Sequence, residues 1–255
     1  MSEPVLQAKQ LTLRFGGFAA LDAFSLDVQP EEIHGLIGPN GAGKTTSFDV
    51  ITGVYRPHKG SVWLAGRDIT RWRPQRRTRA GIGRSFQTVG LAPGLTSRGN
   101  VLATVEAVEK VWAPFPLPAS ARRRRAQADE LLEFFGLDEV ADTQVTDLPL
   151  GTTKLLELAK VFAGSPKVVL LDEPFAGLST AEARERVRLI SERRKHSRAG
   201  VVIVEHDVPL LLDLCDTLTV LDTGAVVVCG PPHEVMSDPA VREAYMGDVV
   251  EESTI

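Results

Sequence analysis

A glycine-rich segment, Gly38-Pro-Asn-Gly-Ala-Gly-Lys-Thr-Thr46, stands between an apolar run, Ile33–Ile37, and a stretch of helical spacing over residues 43–52. Few features restrict a fold so tightly. A strand, a glycine turn and a helix in this order let successive backbone N–H groups converge on an anion in front of the helix's positive end. Gly38, Gly41 and Gly43 lack Cβ atoms, so the backbone can curl closely around such a group. The segment fits G-x-x-x-x-G-K-[ST], which predicts a triphosphate cradle made by Gly38, Pro39, Asn40, Gly41, Ala42, Gly43, Lys44, Thr45 and Thr46. In such a cradle Lys44 reaches between the β- and γ-phosphates, the Thr45 hydroxyl ligates Mg²⁺, and Thr46 donates to a phosphate oxygen.

The patterning on either side predicts an α/β chain. Leu11–Phe15, Leu21–Val28 and Ile33–Ile37 read as strands, and Ser61–Ala65 and Gly83–Phe86 as short strands flanking an arginine-rich stretch. From about residue 88 to 165 the period becomes helical, with Val101–Val111, Ala121–Phe135 and Thr153–Phe162 carrying apolar residues three or four apart. After Pro166 strands and helices alternate: Val168–Leu171, Ala181–Lys195, Val201–Val204, Val208–Leu214, Leu218–Leu221 and Val226–Cys229. Uninterrupted apolar strands followed by helices point to a buried parallel sheet. One domain over 1–255 is expected, with a catalytic core from 1–87 and 166–248 and a helical insertion at 88–165.

Val168-Val-Leu-Leu-Asp-Glu-Pro174 ends an apolar strand in two acids, and parallel strands present functional groups at their carboxyl ends. Asp172 there can serve a Mg²⁺ shell while Glu173 polarises a water aligned with the γ-phosphate. With the upstream cradle, this strand resembles the nucleotide-binding subunit of ABC transporters, and the resemblance covers almost the whole chain. It implies a P-loop NTPase fold of the ABC ATPase type: a RecA-like core, an antiparallel β subdomain and an inserted helical subdomain. It also implies that Phe15 stacks on adenine, that Gln87 joins the metal site to the helical lobe, and that His206 is the switch histidine at the γ-phosphate. Catalysis then rests on Glu173, His206, Lys44 and Gln87, and the metal on Thr45, Gln87 and Asp172, with ATP and Mg²⁺ as cofactors.

Where the family has Leu-Ser-Gly-Gly-Gln, this chain has Leu148-Pro-Leu-Gly-Thr-Thr153. Pro149 removes a serine hydroxyl and a backbone N–H from a loop that, in the family, caps nucleotide bound by the opposite subunit. Gly151 and the Thr152 or Thr153 hydroxyls remain to approach phosphate from a helix start near Thr152. Arg14-Phe-Gly-Gly, Gly83-Arg-Ser-Phe-Gln and the ending Gly230-Pro-Pro-His-Glu-Val with Glu243-Ala-Tyr-Met-Gly look like the branched-chain amino-acid importers. That resemblance implies permease partners, a second ATP-binding subunit as homo- or heterodimer, an extracytoplasmic substrate-binding protein, and a peripheral place on the cytoplasmic membrane face. Urea, amide or lipopolysaccharide transport and a soluble ABC ATPase are the competing readings.

Composition sets outer limits. A formal net charge of −4 gives no general attraction to nucleic acid. No apolar run approaches the roughly 20 residues that span a bilayer. Cys215 and Cys229 have neither metal-ligand spacing nor a disulfide framework and read as packing residues. Arg122–Arg125 reads as the solvated face of a helix.

Overall fold

The computed structural model describes residues 3–85, 90–109 and 118–241. Gly16 and Gly17 turn β1 (Leu6–Phe15) into β2 (Phe18–Val28), with Phe15 opposite Phe18, and β4 (Lys59–Leu64) and β5 (Arg67–Asp68) complete an antiparallel sheet in the order β2-β1-β4-β5. β1 is longer than its apolar alternation suggests. Leu6 and Ala8 are buried at even positions and Leu11 and Leu13 at odd ones, because the register shifts between Ala8 and Leu11, where Gln10 takes φ 51°. One extra residue there returns both pairs to the same face.

A six-stranded sheet runs β10-β9-β3-β8-β7-β6, built from β3 (Ile33–Ile37), β6 (Ile82–Arg84), β7 (Val168–Asp172), β8 (Gly200–Val204), β9 (Thr217–Asp222) and β10 (Ala225–Gly230). Only β10, at the edge, is antiparallel to its neighbour. Every residue of β3, β7 and β8 is buried, as a sheet covered on both faces requires. Ile37, Leu171 and Ile203 face a core shared with the helices, whereas Leu36, Leu170 and Val202 face the antiparallel sheet and α1 (Lys44–Thr52).

Between β6 and β7 the chain is helical: α3 (Ser97–Glu109), α4 (Pro118–Phe134) and α5 (Leu150–Phe162). Pro118 opens α4, where a missing N–H is harmless. Within the run read as a solvated face, Arg124 is buried, its Nε 3.5 Å from Glu106 and its Nη1 3.8 Å from Glu109, so α4 carries an interior cation toward α3. After β7, α6 (Thr180–Ser197) begins with a reciprocal capping box between Ser179 and Glu182, and α7 (Val208–Leu214) is capped by Asp207; each cap stabilises its helix by about 1 kcal/mol.

Two short helices lie outside the sequence expectation, α2 (Pro74–Ala80) and α8 (Pro232–Ser237). α2 has no apolar stripe. It is fastened instead by Arg77, 1% exposed, whose guanidinium donates to the carbonyls of Val50, Ile51, Thr70 and Trp72. Burial lowers the Arg77 pKa to about 10 despite the partial counter-pull of Asp68.

Candidate functional site

Register places the carboxyl ends of three neighbouring strands level with one another. Leu36 of β3 pairs with Val204 of β8, and Asp172 of β7 pairs with the same Val204. The residues that follow, Gly38–Thr46, Glu173 and Glu205-His206, therefore emerge together at one edge of the sheet, where open α/β sheets bind ligands. They converge on a cleft of about 340 Å³ lined by Asn40–Thr46, Glu173, Val204, His206 and, from the β1–β2 hairpin, Phe15 and Phe18.

Glycine is required at two points of the loop. A Cβ on Gly38, at φ 152°, would lie 1.9 Å from the Leu221 carbonyl oxygen, and one on Gly43, at φ 103°, would lie 2.5 Å from that of Ala20. Lys44 is buried, and its Nζ donates to the carbonyls of Gly38 (2.6 Å) and Pro39 (2.9 Å). An ammonium held by carbonyl oxygens is readily attracted by an anion. The first-turn N–H groups of α1 have no intrahelical acceptors and point the same way.

Asp172 lies one step deeper, in an adjoining cavity of about 70 Å³ that it shares with Ser85 and Glu173. Its N–H donates to Ser85 Oγ at 2.9 Å, and Arg84 Nη2 approaches its Oδ2 at 3.9 Å. Burial pushes its carboxyl pKa up, Arg84 opposes that shift, and Glu173 adds to it. Asp172 Oδ1 is buried and accepts no hydrogen bond among the described residues. Such an orphaned acceptor suits the shell of a hard cation. Because no group of three His, Cys, Asp or Glu side chains able to hold a metal occurs among the described residues, a cation here would need phosphate oxygens and water as well. That is the usual situation of Mg²⁺ on a nucleotide.

Glu173 adopts φ 50°, a left-handed conformation that costs a non-glycine residue about 1–2 kcal/mol. Its Oε1 lies 3.1 Å from His206 Nε2. An ionised carboxylate only accepts, so His206 Nε2 carries the proton of that contact.

Three residues not singled out in the sequence support these groups. Glu205, 5% exposed, accepts from the Phe175 N–H (2.8 Å) and the His206 N–H (3.1 Å), joining the loop after Glu173 to the loop that carries His206. Arg186 of α6 donates to the carbonyls of Pro174 (3.2 Å) and Gly151 (2.8 Å). Arg84 pairs with Asp49 of α1 at 2.6 Å. Of the three, Glu205 alone gave a visible signal, a charge directly after the apolar run Val201–Val204.

Gly151 does not line the cleft. It lies in the first turn of α5, which begins at Leu150 with Pro149 as N-cap, two residues before the expected start. Phe15 lies at the cleft mouth, half exposed, its ring edge-on to Tyr55 at 5.2 Å. Gln87 lies outside the described residues, as does the ending from Glu243 onward. Of the two cysteines, Cys215 packs against the core, whereas Cys229 is exposed, its thiol beside His34 and Thr219.

A buried parallel sheet, a glycine loop leading into a helix, and an acid pair at the tip of β7 define a P-loop nucleotide hydrolase. A family model described as "ABC transporter" matches residues 21–176, and one described as "Branched-chain amino acid ATP-binding cassette transporter" matches residues 225–251. The chain is 37% identical to the high-affinity branched-chain amino acid transport ATP-binding protein LivG of Salmonella typhimurium, over 97% of this chain and all of that protein. It is 36% identical to the lipopolysaccharide export system ATP-binding protein LptB of Acidithiobacillus ferridurans, over 97% of this chain and 98% of that one. The ADP conformation of MJ1267, an ATP-binding cassette of an ABC transporter, superposes with a TM-score of 0.83 at 29% identity, covering 96% of this chain and 100% of the other. The chain belongs to the ABC transporter family, as an ATP-binding subunit of the kind that hydrolyses ATP to power transport.

Proposed function

We propose that this chain is the motor subunit of an importer for branched-chain or similar hydrophobic amino acids. The observation that carries the motor reading is the alignment of three strand tips, which brings Lys44, Glu173 and His206 to one cleft. In this reading Gly38–Thr46 cradle the phosphates, and the Lys44 ammonium leaves the Gly38 and Pro39 carbonyls for phosphate oxygens. Phe15 offers its exposed face to adenine. Thr45, Asp172 and Gln87 would hold Mg²⁺, which when bound neutralises phosphate charge. Glu173 orients the attacking water, and His206, fixed by Glu173 and by its own N–H on Glu205, faces the γ-phosphate. Catalysis is positioning and electrostatics with no covalent step on the protein.

The site takes its last wall from a second subunit. Gly151 lies away from its own chain's cleft, and this supports a head-to-tail pair in which each Gly151 helix end caps the other subunit's nucleotide. Residues 88–165 act as the helical subdomain. Between it and the core, Pro74, Ile82, Val108, Val161 and Ala163 line an apolar groove of about 270 Å³. We assign this groove to a permease segment. No helix among the described residues is long and apolar enough to cross a membrane, which accords with a peripheral subunit that borrows its membrane path.

The C-terminal match over 225–251 favours amino acids over lipopolysaccharide export as the cargo. Reconstitution with permeases and an extracytoplasmic binding protein of the branched-chain amino-acid type provides the test. Leucine or valine presented with the binding protein should stimulate ATP hydrolysis; stimulation by lipopolysaccharide alone would reject the importer reading. For the motor itself, Glu173→Gln should retain ATP binding and lower turnover by at least about a hundredfold, since water orientation is lost while the cradle is intact. Phosphate release at the wild-type rate would remove Glu173 from its role.

A further inference from the structure

Seven arginines lie between Arg67 and Arg84. Two serve the interior, Arg77 through four carbonyls and Arg84 through Asp49 and Asp172. The other five, Arg67, Arg71, Arg73, Arg76 and Arg79, are exposed, and none of them forms an ion pair within 4.0 Å among the described residues. Asp68, the only carboxylate in the stretch, accepts from the Thr70 N–H and hydroxyl.

Elsewhere several helix arginines are paired. Arg123 and Arg124 meet Glu109, Arg125 meets Asp129, and Arg188 meets both Glu185 and Glu192. In a chain of net charge −4, five neighbouring cations without ion pairs repel one another unless an anion joins them.

The patch is also partly ordered in advance. The Arg76 guanidinium stacks 3.8 Å above the Trp72 ring, and Trp72 packs in turn against the core. Arg79 Nε donates to the Ala107 carbonyl at 3.3 Å. Arg67, Trp72, Arg79 and Lys167 line a cleft of about 320 Å³ whose wall contains three cations and no acid. α2 separates this cleft from the apolar groove assigned above to the permease, to which Pro74 and Thr78 of the same helix contribute. A subunit seated on a permease through that groove holds the basic cleft beside the bilayer.

We propose that the surface formed by Arg67, Arg71, Arg73, Arg76, Arg79 and Lys167 binds the phosphate headgroups of anionic membrane lipids. The orientation toward the bilayer rests on the permease assignment; the lipid affinity is a property of this chain alone. Guanidinium groups bind phosphate oxygens through paired N–H donors, and an indole at a water–lipid boundary suits the same surface. An anionic leaflet attracts each such cation, and salt weakens the attraction.

Flotation of the full chain with vesicles tests the proposal. Vesicles of phosphatidylcholine alone are compared with vesicles of equal parts phosphatidylcholine and phosphatidylglycerol, at low and high salt. The wild type should bind the anionic vesicles selectively and release at high salt. The triple change Arg71→Gln, Arg73→Gln, Arg76→Gln should lower partitioning roughly a hundredfold, and each single change roughly fivefold. Neutralising the paired arginines Arg123, Arg125 and Arg188 should change it less than about threefold. The single changes on exposed side chains keep the test valid should the triple variant fold poorly. Equal binding to both vesicle types, or equal losses in the two triple variants, overturns the proposal. Loss of substrate-stimulated ATP hydrolysis by the first triple variant in a detergent-solubilised complex, with vesicle binding intact, overturns it in favour of an acidic permease segment. Failure of vesicle binding beside normal stimulated hydrolysis rejects the lipid contact and leaves the motor reading standing.

Discussion

Glu205 shows how a single buried carboxylate organises the site without lining it. Its two oxygens accept from the N–H groups of Phe175 and His206, one on each loop that carries a reactive side chain. Burial raises its pKa from 4.5, and the two donors pull it back in part. A raised folded-state value means that Glu205 contributes stability fully below the unfolded value and loses that contribution as pH rises through the folded one. Glu205→Gln does not titrate, so the melting temperature of wild type minus that of the variant should fall from about pH 4 to about pH 8. The amide presents one acceptor instead of two, leaving an N–H unmet at about 1–3 kcal/mol. We therefore expect kcat to fall about tenfold with KM for ATP nearly unchanged; a shift confined to KM would mean that Glu205 shapes nucleotide binding instead.

At the scale of elements, the loop after Glu173 is tied to α5 and α6 along its length. Arg186 holds the Pro174 and Gly151 carbonyls, and Lys154 Nζ donates to the Ala176 carbonyl. A shift of the acid pair is thereby passed to the first turn of α5, the part proposed to cap the partner's nucleotide. Pro149 supplies neither hydroxyl nor N–H there, so the position of α5 matters more than the chemistry of its leading residue. Arg186→Lys keeps the charge but cannot span two carbonyls with a fixed fork. In a Glu173→Gln background it should weaken ATP-dependent dimerisation about tenfold, read by size-exclusion chromatography, with monomer affinity for ATP unchanged. Undiminished dimerisation would show that the clamp serves folding alone.

For the whole molecule, the cradle joins two cores. Ile37, just before the loop, packs with the helices, and Phe48 of α1, just after it, packs beneath the antiparallel sheet. Ligand held by the loop therefore stabilises both packing units. At about a hundred times its dissociation constant, ATP with Mg²⁺ should stabilise Glu173→Gln by about 2.7 kcal/mol and raise its melting temperature by about 5–10 °C. The same addition should leave Lys44→Ala nearly unmoved. Equal shifts in a thermal scan would place the nucleotide elsewhere.

Several of these features were legible in the residues alone. The glycine loop, the apolar strand before it and the acids after Leu171 depend on local chemistry: missing Cβ atoms, an uninterrupted apolar run and a strand's carboxyl end. Phe15, Lys44, Glu173 and His206 were marked by motif, and the resemblance implied one shared site; the geometry by which they meet was not legible. It depends on the register of β3, β7 and β8, in which β3 pairs with β8 across more than a hundred positions and β7 joins β8 on its other side. The parity reset at Gln10, the burial of Arg77 and Arg124, and the inward turns of Glu205 and Arg186 were likewise decided by tertiary structure. A charged side chain is buried only where distant carbonyls, N–H groups or counter-charges satisfy it, and a linear string does not display those partners.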